Sequence, residues 1–126
     1  MTHDSHFCPR FHKAVELVGR RWTGAILREM VAGGTRFCEI RDAVPDLSDR
    51  MLSERLKELE AEGVVEREVY PETPVRIEYR LTEKGRALGR AIESVARWAD
   101  VWIELEPAAP AAEDVSRQAV TPRLRG

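Results

Sequence analysis

Two sets of residues in this 126-residue chain have the types and spacing to do chemistry. The first centres on a thiol. Cys8 directly precedes Pro9 at the expected mouth of a helix, where unpaired backbone N–H groups and the helix dipole stabilise a thiolate. His12, four residues on, falls on the same helical face, and its protonated ring would lower the thiol pKa further. Such a cysteine either reacts with oxidants and electrophiles or serves as a small buried structural residue, and the residues alone leave both readings open. His3 and His6, with Cys8 and His12, also suggest zinc. Both histidines lie in an expected frayed segment, however, and no second cluster closes a tetrahedral site, so neither metal nor cofactor is expected. The second set is suited to nucleic acid. Arg50 can offer a two-pronged donor to guanine, Ser53 can bond a base or a phosphate, and Lys57 can reach a phosphate one turn later. Glu54, between them, would read cytosine or repel the backbone. By itself this polar face equally describes a solvated helix surface.

The elements that must carry these residues follow from apolar spacing. Pro9, Phe11, Ala14, Val15, Leu17 and Val18 predict a helix from Cys8 to Val18 that stops at Gly19. Trp22, Ile26, Leu27 and Met30 predict a second helix, ended by Gly33 and Gly34. Phe37, Ile40, Arg41 and Val44 predict a short third helix closed by Pro45, because a residue before proline is pushed out of the helical region. After the turn Pro45-Asp46-Leu47, Ser48 is a good N-cap for a fourth helix reaching Glu62, with Leu52, Leu56 and Leu59 on one face. With Leu52 inward and about 100° of turn per residue, Arg50, Glu54 and Lys57 point outward, and Met51 and Ser53 lie at the edges. Val64–Tyr70 and Arg76–Leu81 are β-prone runs joined by Pro71-Glu72-Thr73-Pro74-Val75, which reads as a hairpin. Thr82 caps a last helix in which Leu88, Ile92, Val95, Ala99, Trp102 and Ile103 form a seam that wants a partner helix.

The order helix, helix, helix, turn, helix, hairpin, helix specifies a winged helix-turn-helix: mostly α, with a small β-hairpin. One domain spans residues 8–105, between an N-terminal segment 1–7 and a tail 106–126 that are both expected to be flexible. No uncharged stretch approaches the roughly 20 apolar residues of a membrane span. No basic stretch followed by an apolar one marks an export signal, so a cytoplasmic protein is expected. Cys8 and Cys38 form no CxxC pair and no disulfide framework. The formal net charge is −2. Residues 10–90 carry 16 Lys and Arg against 15 Asp and Glu. A DNA-binding reading therefore rests on where particular arginines sit and not on overall charge.

The chain resembles the HxlR-type transcription regulators, relatives of the multiple-antibiotic-resistance type regulators. The resemblance lies at Cys8-Pro9, at Gly19-Arg20-Arg21-Trp22-Thr23 with Ile26-Leu27, and at Arg36-Phe37-x-Glu39-Ile40. It continues through Ser48-x-x-x-Leu52-Ser53-x-Arg55-Leu56-Lys57-Glu58-Leu59-Glu60-x-x-Gly63, Tyr70-Pro71, Pro74-Val75-Arg76-Ile77-Glu78-Tyr79 and Leu81-Thr82-x-x-Gly85, covering the chain from about Cys8 to Trp102. It implies a dimeric cytoplasmic DNA-binding regulator, and a cysteine at the position of Cys8 that senses oxidants or electrophiles. Cys38 departs from the family pattern, which has a polar or small residue there.

Together these features predict a homodimer, joined through its first and last helices, that binds an imperfect palindrome. Its two reading helices would enter major grooves about 34 Å apart. The residues expected at DNA are Arg21, Thr23, Arg36, Ser48, Arg50, Met51, Ser53, Lys57 and Arg76. Arg21, Thr23 and Arg36 would meet phosphates at helix starts, or Arg36 would hold an internal salt bridge. Arg76, beside a tip stiffened by Pro71 and Pro74, would meet the minor groove or its phosphates. Repression is the expected mode, with an oxidant or another small molecule as effector. An enzyme is not expected, since no phosphate loop, nucleophile elbow or paired carboxylates occur. The rivals are a winged-helix module that binds protein, and a regulator that answers a small-molecule ligand without cysteine chemistry.

Overall fold

The computed structural model describes residues 6–106. Five helices and one hairpin follow in the expected order: α1 (Pro9–Val18), α2 (Thr23–Val31), α3 (Phe37–Ala43), α4 (Asp49–Ala61), β1 (Val65–Tyr70), β2 (Arg76–Leu81) and α5 (Glu83–Trp102). His3, the first five residues of the expected flexible N-terminal segment and residues 107–126 of the expected tail lie outside the described residues.

Local chemistry sets the boundaries. Cys8 caps α1, its Sγ accepting from the Phe11 N–H at 3.4 Å with Pro9 in the first turn. Trp22 is left-handed (φ 78°) and turns the chain sharply into α2. The Glu39 carboxylate accepts from the N–H groups of Thr35 and Arg36, each at 3.0 Å, and so caps α3. Val44 is extended as the residue before Pro45, and left-handed Asp46 (φ 67°) completes the turn. Ser48 then accepts from the Met51 N–H at 3.1 Å to start α4. The expected ends at Glu62 and Ile103 each fall one position beyond the last helical residue of α4 and α5, where a capping residue stands.

The core gathers where α2, α3 and α4 meet: Ile26, Leu27, Ile40, Leu52, Leu56 and Leu59 are all buried. Val44 and Leu47 from the turn, and Val64 and Val65 from the start of the hairpin, close it. Each such side chain contributes roughly 1.5–3 kcal/mol relative to exposure. The hairpin is antiparallel, in register from Val65 opposite Leu81 to Tyr70 opposite Arg76. It is tied back by the Tyr79 N–H, which donates to Thr35 O at 2.8 Å, and by Thr82 Oγ1, which donates to Gly63 O at 2.6 Å.

The terminal helices differ from the expected single seam. Leu88 and Ile92 of α5 pack on the core. Val95, Trp98 and Trp102 are exposed, as are Phe11 and Val15 on α1, a helix with no buried residue. Core packing within the chain thus takes the first half of the seam, and the second half is uncovered. α5 approaches the start of the hairpin closely because a glycine stands in its first turn: a Cβ on Gly85 would lie 2.0 Å from Val64 O.

Gly85→Ala is accordingly expected to destabilise the fold, since the blocking atom is backbone and the helix must move. An overpacked site of this kind typically costs about 1–3 kcal/mol. Urea unfolding followed by circular dichroism should show a lower midpoint, with Ala87→Gly, on the exposed side of the same helix, as the control for helix propensity alone.

Candidate nucleic-acid interface

The turn between α3 and α4 presents α4 to solvent along one side only. Leu52, Leu56 and Leu59 face inward, and Arg55 joins them at 6% exposure. Its Nε donates to Arg21 O at 2.9 Å and its Nη1 to Glu58 Oε2 at 2.9 Å, and Arg20 meets the same Glu58 oxygen at 3.1 Å. This buried guanidinium braces α4 against the connection between α1 and α2. On the α3 side, Arg41 bridges Asp42 at 3.0 Å and Asp49, in the first turn of α4, at 3.1 Å. The angle between the two helices is therefore held by side chains as well as by the core.

The opposite side of α4 carries Arg50, Glu54 and Lys57, all exposed, with Met51 and Ser53 half-buried at its edges. The Arg50 side chain is 88% exposed, and its Nε donates to Glu54 Oε2 at 3.3 Å. Glu54 thus partners Arg50 one turn away, through Nε alone among the hydrogen bonds of the described residues. Ser48 is exposed at the helix start, with its hydroxyl oxygen engaged in the cap.

Arg21 is exposed, its guanidinium lying 4.9 Å from the Trp22 ring centroid. Thr23 differs from expectation. At 1% exposure its side chain belongs to the interior, so no phosphate can reach it in this arrangement. The left-handed turn at Trp22 rotates Thr23 inward, a conformation that residue type and spacing do not reveal.

The hairpin tip brings Arg36 and Arg76 together with Glu72 and Cys38 around a shallow groove of about 500 Å³. Arg76 is not free. It bonds Glu72 through Nη2 at 2.8 Å and Nε at 3.3 Å, bonds Glu78 through Nη1, and stacks on Tyr70 at 4.0 Å from the ring centroid. Arg80 bonds Glu68 at 3.1 Å, Glu78 at 2.8 Å and the Tyr70 hydroxyl at 2.6 Å. Glu78 is buried between the two arginines. The wing is a closed ionic ladder whose outermost rung, Glu72–Arg76, stands at the tip.

Cys8 is exposed. His12, expected to bear on the thiol, is 3.3 Å from Glu16, and its ring lies 5.3 Å from that of Phe7.

The match to a family model is decisive: the HxlR-like helix-turn-helix model fits residues 17–107, and so covers every element from the end of α1 to α5. The chain belongs to the HxlR-like helix-turn-helix family. It is 55% identical over 100 residues to YvaP of Bacillus subtilis (strain 168), described as an uncharacterized HTH-type transcriptional regulator, covering 79% of this chain and 93% of that one. It is 47% identical over 97 residues to the HTH-type transcriptional regulator YodB of the same organism, covering 77% and 87%. Among solved structures, the reduced form of YodB superposes with a TM-score of 0.69 at 46% identity, covering 80% of this chain and 99% of that one. The oxidised form of the redox regulator HypR superposes with a TM-score of 0.70 at 37% identity, covering 78% and 100%. YodB has also been solved with quinone bound, at a TM-score of 0.64 and 43% identity, covering 76% and 100%. The chain's structural neighbours are winged-helix regulators, and here α4 (Asp49–Ala61) follows the turn after α3 and precedes the hairpin.

The residues that the sequence reading missed are the buried ones. Arg55 follows Leu52 by three positions and so falls in the leucine stripe, a signal that was present in the spacing.

The wing ladder has a pH signature. The hydrogen bond from Arg76 holds the Glu72 carboxyl below the ordinary carboxylate range, helped by the charge of Arg36. Because the folded value is depressed, the rung's contribution is fully present above the unfolded pKa of about 4.3 and is lost as pH falls through the folded one. Carbon-detected NMR should place the Glu72 midpoint below the ordinary glutamate value. In Arg76→Gln the Glu72 midpoint should rise toward the ordinary value.

Proposed function

We propose that this chain is a cytoplasmic, homodimeric transcription regulator, and not an enzyme, that represses by binding an imperfectly palindromic operator and is switched by modification of Cys8. The observation that carries the reading is the two-sidedness of α4. One side is locked into the core by leucines and Arg55, and the other offers Arg50, Ser53 and Lys57 from a well-capped helix in the reading position of a winged helix-turn-helix. In this reading Arg50 forks onto guanine, with Glu54 steadying it, and Ser53 and Met51 contact the neighbouring bases. Lys57, Arg21, Arg36 and the cap at Ser48 hold phosphates, and Arg76 meets the minor groove or its phosphates.

Dimerisation follows from the uncovered apolar surface of α1 and of the second half of α5. Trp98 and Trp102, 57% and 70% exposed, lie one turn apart beside Val95. A contiguous patch of this kind marks an interaction surface, and joining two copies here would set the spacing of the two α4 helices.

Cys8 supplies the signal. Its exposed sulfur stands at the mouth of α1, within the apolar helix pair proposed as the interface, where a substituent would alter how two subunits meet. With a quinone, the thiolate adds to a ring carbon. The new C–S bond takes a sulfur lone pair and the ring accepts the electrons; one proton from solvent and the proton lost from the attacked ring carbon go to the two ring oxygens, which leaves a hydroquinone thioether. The redox and quinone states of HypR and YodB support this choice of effector class.

Anisotropy titrations against operator fragments selected from a random pool test the reading. Steeply salt-dependent, sequence-specific binding is expected. Arg50→Ala should cost about 1–3 kcal/mol and relax preference at one base pair per half-site, whereas Lys57→Gln should weaken all sequences alike and flatten the salt slope. Quinone treatment should change the affinity of the parent protein and leave Cys8→Ser unaffected. Failure to select any sequence would favour the protein-binding module.

Trp98→Glu combined with Trp102→Glu should convert the dimer to a monomer by light scattering and abolish tight operator binding while leaving the helical content intact.

A further inference from the structure

α5 has a third face that neither the core nor the apolar patch uses. Arg86, Arg90 and Arg97 recur at spacings of four and seven, on the side of the helix roughly opposite Val95. They form one wall of a groove of about 910 Å³ between α2, β2 and α5, whose floor is apolar: Met30 and Val31 of α2 and Leu81 of β2. The groove's charge is one-sided. The lining holds four arginines, counting Arg80, against one carboxylate, Glu93. Arg80 is neutralised by Glu68 and Glu78, and Glu93 by Arg28 at 3.0 Å. Arg86 and Arg97 make hydrogen bonds to Leu81 O and Ser94 Oγ, at 3.0 and 2.9 Å. Arg90 meets no carboxylate among the described residues. Three guanidiniums that meet no carboxylate among the described residues thus share one face of a groove in a chain whose net charge is −2.

We propose that this groove binds an amphipathic organic anion: a flat apolar body lying on Met30, Val31 and Leu81, with a carboxylate held by Arg90 and Arg97. The volume falls in the range of small-molecule sites, roughly 300–1,000 Å³, and an apolar floor with a few convergent polar groups is how such sites are built. Guanidinium is the natural partner for a carboxylate because its paired N–H groups match both oxygens. The floor and the arginines belong to different elements, so an occupant would bridge α2 of the DNA-reading half to the helix that carries the proposed dimer surface. The two helices already touch beside the groove, where a Cβ on Gly89 would lie 2.7 Å from Val31 Cγ2. The inference rests on the regulator reading only for its consequence at DNA, and occupancy of the groove stands apart from Cys8.

The test is direct binding of 1-naphthoate and of its neutral counterpart 1-naphthamide to the full chain, by calorimetry and by amide NMR. Saturable naphthoate binding is expected, with shifts at Gly34, Gly89 and Ser94, and the amide about tenfold weaker. Arg90→Gln with Arg97→Gln should weaken naphthoate about tenfold, bring it level with the amide, and leave the fold and operator binding unchanged. No saturable binding, equal binding of acid and amide, shifts confined to Trp98 and Trp102, or an unaffected double variant would each overturn the proposal. Operator titrations without either probe report on α4 alone. Their failure would strike the regulator reading and leave the groove intact, while a failure in the groove leaves operator binding standing.

Discussion

The rotational setting of α4 is the constraint on which the rest of the molecule depends. A helix turns about 100° per residue, so a slip of one position would carry Arg50 and Lys57 toward the core and a leucine toward solvent. Leucines alone define a broad apolar face and tolerate some roll. The buried Arg55 does not, because its Nε has a single backbone acceptor, Arg21 O, and its Nη1 a single carboxylate, Glu58. Burying an arginine costs several kcal/mol of desolvation, which is recovered only when its N–H groups are met with good geometry. The brace therefore contributes less to net stability than to excluding other orientations of the helix. Glu58 is shared with Arg20, so the same contact also fixes the connection between α1 and α2.

The wing is positioned by a second device of the same kind. Two strands are marginal by themselves, and here only Val65 at the start and Glu78 on the second strand are buried. Order comes instead from the chain Glu68, Arg80, Glu78, Arg76, Glu72, in which arginine and carboxylate alternate and Tyr70 lies against Arg76. Exposed pairs contribute little singly. A network that shares a buried carboxylate loses less side-chain freedom per contact, since each member is already held by its neighbour. The consequence for function is that Arg76 would arrive at DNA ordered and partly neutralised, so that its role would be one of shape and register more than of raw charge.

Most of the fold was legible in the sequence because its signals are local. Ser48, Thr82 and Gly63 mark helix ends by their own capping chemistry, and the leucines of α4 and the β-branched run of the hairpin carry unambiguous periods. The exposed residues of the outer face of α4, Arg50 and Lys57, follow from that period directly. What was not legible depends on backbone conformation or on partners distant in sequence. Thr23 turns inward because Trp22 is left-handed, and nothing in a tryptophan announces that. Arg76 reads as an exposed cation until Glu72 and Glu78 are brought around it by the register of the hairpin. His12 finds Glu16 and Phe7 and not the thiol, a choice between neighbours at helical spacing that the sequence offers equally.

The three faces of α5 explain why a single long helix can serve both halves of the molecule. Its first half replaces side chains with glycines at Gly85 and Gly89, bringing its backbone against Val64 O, where no rotamer change can absorb a shift, and against the Val31 side chain. Its second half carries the tryptophans that stand clear of the chain's own core. A helix of 20 residues is about 30 Å long and transmits a tilt at one end as a displacement at the other. In the proposed dimer, the contact of two copies along Trp98 and Trp102 would therefore fix α2, and through Arg55 and Arg21 the attitude of α4. Close packing at the two glycines is what would make that lever stiff, so that under the proposed switch a small group on Cys8 would alter the spacing of the two α4 helices.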